Sequence, residues 1–195
     1  MTGERPHLYV VPESEPSAEA DDQALMRLVR GGERSAFETL AHRHLHRVAS
    51  FCARYLSDVA AGEEVAQEVF VALWQRRARY DERQKFREYL YTLAVNGCRN
   101  RDRWWRRLTG RTARLAGLPH AEPGTALDVL MQREREQELG RAIALLPARL
   151  REAVLLRFGQ ELDYRAIGSA VGCTEGNARA RVFRALKQLR EEVQP

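Results

Sequence analysis

From Asp22 onward the apolar residues of this chain recur every three or four positions, the period of an amphipathic helix. Behind Ser35-Ala-Phe-Glu38, which reads as a capping box, Phe37, Leu40, Ala41, Leu45, Val48, Cys52, Tyr55 and Leu56 form one such stripe. A second helix is predicted to begin near Asp58, carrying Val65, Val69, Phe70 and Leu73 inward and ending in the basic QRRARY. A third runs from about Phe86, with Leu90, Leu93 and Gly97 on the same face. The period is lost in LTGRTARLAGLPHAEPG, where glycine and proline accumulate as they do in linkers. It returns in Leu127 to Leu146, in ARLREAVLLRF opened by Pro147 and stopped by Gly159, and in two helices from Asp163 to Glu192. The expectation is an all-α chain of two small helical domains. It divides into a flexible acidic arm (1–21), a first domain (22–107), a flexible linker (108–126) and a second domain (127–195) containing a helix-turn-helix.

Charge sharpens this picture. Residues 1 to 24 hold Arg5 against six acids, a net of −5, so the remainder of a chain whose total is +5 carries +10, enough to favour a polyanion. The three cysteines, Cys52, Cys98 and Cys173, are widely spaced and include no CxxC pair, which points away from a disulfide framework and from a zinc finger. No basic segment followed by an apolar run opens the sequence, and runs such as AVLL at 153–156 are too short to span a bilayer. These features read as a soluble cytoplasmic protein without stable membrane insertion.

The sharpest local signal is LDYRAIGSAVGCTEGNARARVFRALKQL at 162–189. Asp163 is placed to cap a helix, Gly168 is small where two helices must approach, Gly172 stands at the break, and Thr174 can cap the next helix. In that second helix Ala178, Val182, Ala185 and Leu189 form the inward stripe, leaving Arg179, Ala180, Phe183, Arg184 and Lys187 outside. Guanidinium forks read guanine or clasp phosphate and an aromatic ring meets a thymine methyl, so this face suits a DNA major groove. The plainer reading is a helical hairpin with a solvated basic face.

A second basic cluster is CRNRDRWWRRLTGR at 98–111, with six arginines, one aspartate and two adjacent tryptophans. On a helical projection Thr92, Asn96, Arg99, Arg103 and Arg106 share a polar stripe, Trp104 continues the apolar one, and Trp105 lies at its margin. Arginines beside aromatic rings also suit single-stranded nucleic acid, whose bases stack on them. Set against all this basic surface, Glu63, Glu64, Gln67 and Glu68 make an acidic strip on the second helix, which fits either a basic partner or a solvated helix face. Glu38, His42 and His46, spaced four apart, could share a metal, but no second ligand motif of matching spacing accompanies them, so no metal or other cofactor is expected.

Four segments together, DQALMRLVRGGERSAFETL at 22–40, GEEVAQEVFVALW at 62–74, KFREYLYTLAVNGCRNRDRWWRR at 85–107 and LPARLREAVLLRFGQELDYRAIGSAVGCTEGNARARVFRAL at 146–186, resemble bacterial RNA polymerase sigma factors of the extracytoplasmic function (ECF) group. The resemblance covers both domains in order. It implies a non-enzymatic initiation factor that directs core RNA polymerase to promoters. Its first domain would correspond to region 2, which melts the −10 element, and its second to region 4, which reads the −35 element as duplex.

By the same resemblance Glu64, Gln67, Glu68 and Trp74 face the polymerase, and Tyr80, Arg83, Lys85, Asn96, Arg99, Asn100 and Arg103 meet the −10 DNA. Capturing a flipped base requires hydrogen-bonding groups and a stacking surface to return the cost of unstacking, and these side chains supply both. Two departures stand out. Asn100 occupies a position often held by aspartate, and Arg165-Ala166 replaces a frequent acidic pair. The implied partners are core polymerase and promoter DNA, duplex and melted, and the family admits an anti-sigma protein as well. The rival is a stand-alone helix-turn-helix regulator that binds its operator without polymerase.

Overall fold

The computed structural model describes residues 16–109 and 137–193, so most of the acidic arm, residues 110–126 of the expected linker and residues 127–136 of the expected second domain lie outside the described residues, while Leu108 and Thr109 belong to a helix. Every regular element among the described residues is helical. The first half consists of α1 (Pro16–Arg30), α2 (Arg34–Leu56), α3 (Val59–Arg76) and α4 (Phe86–Thr109), with a short 3₁₀ turn at Arg77–Arg79. The second consists of α5 (137–145), α6 (Ala148–Val154) running into a π turn at Leu155–Gly159, α7 (Tyr164–Val171) and α8 (Glu175–Val193). Helix α1 begins at Pro16, ahead of the expected start at Asp22.

Local chemistry explains most of these boundaries. Asp58 caps α3 by accepting from the Ala61 amide at 3.0 Å, and Asp163 caps α7 by accepting from the Ala166 amide at 2.7 Å. The cap of α2 differs from the expected box. Glu33 is the N-cap residue, its carboxylate taking both the Ser35 amide and the Ser35 hydroxyl, so Ser35 is a donor inside the helix. Likewise Pro147 precedes α6 as its N-cap residue instead of occupying the first turn.

In the first half α2, α3 and α4 close around Leu40, Phe51, Tyr55, Val65, Leu73, Phe86 and Leu90. Close approach of α2 and α3 depends on Gly62, where a Cβ would lie 2.4 Å from the Ala53 amide nitrogen. Helix α1 is fastened to α2 by a buried pair, His44 Nε2 to Asp22 Oδ2 at 2.7 Å, with Arg43 on the other Asp22 oxygen at 3.1 Å. Burial alone would raise the Asp22 pKa, but the hydrogen bonds and charges of His44 and Arg43 overcome it and hold the carboxyl below its usual range. His44 is thus a structural partner in the HRHLH run, whereas His42 and His46 are exposed.

In the second half a smaller core joins Ala142, Leu146, Val154, Ala185 and Leu189 across α5, α6 and α8. The two halves do not stand apart. The main core continues from α2 and α4 through Leu155, Leu156, Leu162, Ile167, Ala170 and Val171, so α4 packs on α7 and the π turn packs on α2.

The close approach at Gly62 and the buried Asp22 pair can each be tested. Gly62→Ala forces helix backbones apart and is expected to cost on the order of 1–3 kcal/mol, a drop of roughly 3–10 °C in melting temperature by calorimetry. Because the folded Asp22 pKa is depressed, its stabilisation is present above the unfolded value of about 3.9 and is lost as pH falls through the folded one. The melting-temperature gap between wild type and Asp22→Asn should therefore shrink as pH falls below about 4.

Candidate nucleic-acid interfaces

The helix-turn-helix is built by the residues that the sequence singled out. Gly168 lets α7 and α8 meet, since a Cβ there would lie 2.6 Å from the Cys173 carbonyl oxygen, and Gly172 ends α7 in the left-handed region at φ 74°. The Asn177 amide donates to Thr174 Oγ1 at 3.3 Å, capping α8. Ala178, Val182, Ala185 and Leu189 are buried, and Arg179, Phe183, Arg184 and Lys187 project outward, with Ala180 half-buried between them. Phe183 is 71% exposed, a large ring left in water on a basic helix. Arg179 rests 5.1 Å over the Tyr164 ring and reaches Glu175 at 3.4 Å, which pre-orders its guanidinium. Lys187 lies 3.9 Å from Glu191.

On α3 the strip of Glu63, Glu64, Gln67 and Glu68 is exposed. It is tied to α4, because Arg101 donates to Glu64 at 2.6 Å and to Glu68 at 2.9 Å. Arg101 was not singled out in the sequence, since a cross-helix partner leaves no trace in helical period. Trp74 is half-buried, 5.1 Å from the Phe37 ring, with the Arg77 guanidinium 4.3 Å from its own ring centroid. Val71, 55% exposed, adds an apolar side chain to this side of α3.

The remaining candidates divide into four groups. Arg83 and Lys85 are exposed on the loop before α4, Arg83 donating to Asp81. Tyr80 is buried, its hydroxyl donating to the Gln84 carbonyl at 2.6 Å and lying 3.0 Å from Gln23 Oε1, so it braces the loop from beneath. Asn96, Asn100 and Arg103 are exposed on α4, with Arg103 donating to Asn100 Oδ1 at 2.5 Å.

Arg99 is held instead by the second half of the chain. Its Nε and Nη2 form a two-pronged pair with the Glu152 carboxylate, each contact 2.7 Å, and Nη2 also reaches the Val171 carbonyl at 3.2 Å. Those Glu152 bonds raise the Arg99 pKa further. Glu152 itself is 1% exposed and takes a longer bond, 3.4 Å, from the Tyr55 hydroxyl. Alongside, Arg151 spans from α6 to the Tyr55 carbonyl at 2.9 Å, and burial pulls its pKa down. At the other end of the seam the buried Arg87 donates to the Gln160 carbonyl at 2.5 Å and the Tyr91 hydroxyl donates to Gln160 Oε1. Gln84 reaches Ser169 Oγ at 3.3 Å. Between the halves lies a cleft of about 710 Å³ lined by Asn96, Arg99, Arg103, Arg149, Glu152 and Arg181, among others.

Trp104 is more exposed than its place on the apolar stripe predicts. Trp104 is 49% exposed, whereas Trp105 is partly buried, and the two rings meet edge to face at 5.1 Å. Among the described residues the last buried core position on α4 is Cys98, and Trp104 lies beyond it.

Family models match both halves: Sigma-70 region 2 over residues 40–110 and Sigma-70, region 4 over residues 136–189. The chain is 31% identical to the ECF RNA polymerase sigma-E factor of Escherichia coli (strain K12) over 189 residues, 92% of this chain and 97% of that protein. It is 28% identical to the RNA polymerase sigma-H factor of Pseudomonas aeruginosa, covering 89% of this chain and 94% of that protein. Among solved structures its fold is similar to CnrH in complex with the cytosolic domain of CnrY, with TM-score 0.67 at 19% identity, covering 88% of this chain and 96% of that one. The sigma factor RpoE in complex with the anti-sigma factor NepR from Bartonella quintana gives TM-score 0.69 at 21% identity, covering 82% and 98%.

Tryptophan emission checks the exposures. In a Trp74→Phe background, Trp104→Phe should remove the acrylamide-quenchable, red-shifted component and Trp105→Phe the better protected one. The reverse assignment would contradict the packing described.

Proposed function

The chain belongs to the ECF group of bacterial RNA polymerase sigma factors, and on that premise we propose how its surfaces divide the work of initiation. As a sigma factor it directs core RNA polymerase to promoters. The observation that carries the division is the outer face of α8, where Arg179, Phe183, Arg184 and Lys187 stand exposed on a helix whose other face is fully used in packing. This helix reads the −35 element in the major groove, with Ala180 allowing close approach.

Region 2 opens the −10 element. Asn96, Arg99, Asn100 and Arg103 on α4 meet the separated strand, and Arg83 and Lys85 on the preceding loop hold its phosphates. Tyr80 contributes by shaping that loop from inside, as its buried ring and hydroxyl bonds support. On the opposite side Glu64, Gln67, Glu68 and Trp74 dock on a basic surface of the polymerase, with Arg101 fixing the two carboxylates. The chain has no catalytic residues of its own and works in the cytoplasm. No helix among the described residues is long and apolar enough to cross a membrane. An anti-sigma protein is a further partner, supported by the complex with the anti-sigma factor NepR in which a similar fold is seen.

Run-off transcription with bacterial core polymerase over a promoter library tests this reading. Transcripts should depend on both core enzyme and this chain, and Phe183→Ala or Arg184→Ala should each lower promoter use by roughly 5- to 100-fold, the worth of one base-reading contact. Tight operator binding without core enzyme and no core-dependent transcript would point to the stand-alone regulator instead.

A further inference from the structure

One glutamine of α1 spends its whole side-chain amide on the loop that leads into α4. Gln23 Nε2 donates to the Glu82 carbonyl at 3.0 Å and to the Gln84 carbonyl at 3.2 Å, and Gln23 Oε1 accepts the Phe86 amide at 2.9 Å with the Tyr80 hydroxyl 3.0 Å away. Phe86 opens α4, and its amide is one of the four that a helix leaves without an internal partner. Lys85 accepts the first bond of that helix, from the Tyr89 amide, but its side chain has no acceptor with which to cap the end. Gln23 therefore supplies, from 63 positions earlier in the chain, a cap that the local sequence lacks. Its neighbour Asp22 is buried and fastened to α2 through His44, so the clamp stands on an anchored helix.

The charges of the loop are sorted in a related way. Its sequence, DERQK at 81–85, holds two acids and two bases. Asp81 turns back on the loop itself, accepting from the Arg83 amide at 3.0 Å and from Arg83 Nε at 3.3 Å. Glu82 is drawn to α1 instead, lying 2.6 Å from Arg30 Nη1 and 3.7 Å from Arg27 Nε.

We propose that α1 is a positioning element for strand capture: Gln23 fixes the loop in the form that presents Arg83 and Lys85, and Arg30 with Arg27 draws the Glu82 carboxylate off the path of the strand. The proposal rests on the reading that Arg83 and Lys85 hold promoter phosphates. A loop already in its binding form loses little freedom when the strand arrives, and its apparent affinity falls by the fraction of time it spends elsewhere. A carboxylate released beside Arg83 would oppose each phosphate that the loop attracts.

Holoenzyme reconstituted from bacterial core polymerase and the full-length chain tests this. The probe is a fork template with a single-stranded −10 segment, its sequence taken from a promoter recovered by the run-off selection. Gln23→Ala should keep wild-type helicity and wild-type affinity for core polymerase, yet lose roughly tenfold in affinity for the fork if the released loop is competent one time in ten. Arg27→Gln combined with Arg30→Gln, at two exposed positions, should lose about two- to fivefold. Glu82→Gln alone should bind the fork as wild type does, and added to the arginine pair it should restore the lost affinity. A merely structural ion pair behaves otherwise, because Glu82→Gln would then weaken binding as the arginine variants do and would rescue nothing. That pattern would overturn the proposal. So would a gain from Glu82→Gln alone as large as the arginine loss, which reveals a simple charge effect, and so would a Gln23→Ala defect that is absent or matched by an equal loss of core affinity. Arg83→Ala with Lys85→Ala separates the two layers. Lost fork affinity upholds the phosphate reading whatever becomes of α1, and unchanged affinity overturns that reading and the proposal with it.

Discussion

A carboxylate with almost no access to water dictates how the two halves of this sigma factor meet. Glu152 is 1% exposed, and an unpaired charge at such a site would cost several kcal/mol or more. Arg99 answers it with a complete fork, and Tyr55 adds a weaker third bond. A pair of this kind adds little net stability compared with a well-packed apolar substitute. Its effect is positional: α6 has one placement on α4 in which the carboxylate is satisfied, and a slide of one turn would strand it. The apolar continuation of the core through Leu155, Leu156 and Ile167 supplies the attraction, and the ion pair selects the geometry.

The same division of labour recurs at the far end of the seam. After α6 the chain widens into the π turn at Leu155–Gly159, and Glu161 then adopts a left-handed φ of 56°. Between them Gln160 is turned inward, its carbonyl to Arg87 and its side chain to Tyr91. Irregular backbone of this sort persists where surrounding contacts determine it. Here both groups of one glutamine are committed to α4, which makes the irregularity part of the joint between the halves.

The helices, most of their inward stripes, the start of α3 near Asp58, the cap at Asp163 and the whole helix-turn-helix were legible because each depends on residues within one or two turns of one another; Leu45, placed on the α2 stripe, is exposed. Phe183 followed from period alone. What escaped has a common cause, namely partners distant in sequence. Arg99 read as free for DNA because Glu152 is far along the chain, and Arg101 read as unremarkable because Glu64 and Glu68 belong to another helix. Tyr80 carries a side chain suited to stacking, and only the fold shows Gln23 and Gln84 engaging its hydroxyl. The Trp104 expectation failed differently: a helical projection gives the direction of a side chain but not where the core ends. At α2 the error was a local competition, Glu33 reaching the Ser35 donors and displacing the box that Ser35 and Glu38 spelled out.

That the two partners of the seam belong to one polypeptide changes what the seam has to achieve. Joined by the segment between α4 and α5, each half meets the other at an effective concentration that for short tethers is on the order of millimolar, before any contact is made. An interface far too weak to hold two separate proteins together therefore suffices to keep this one shut.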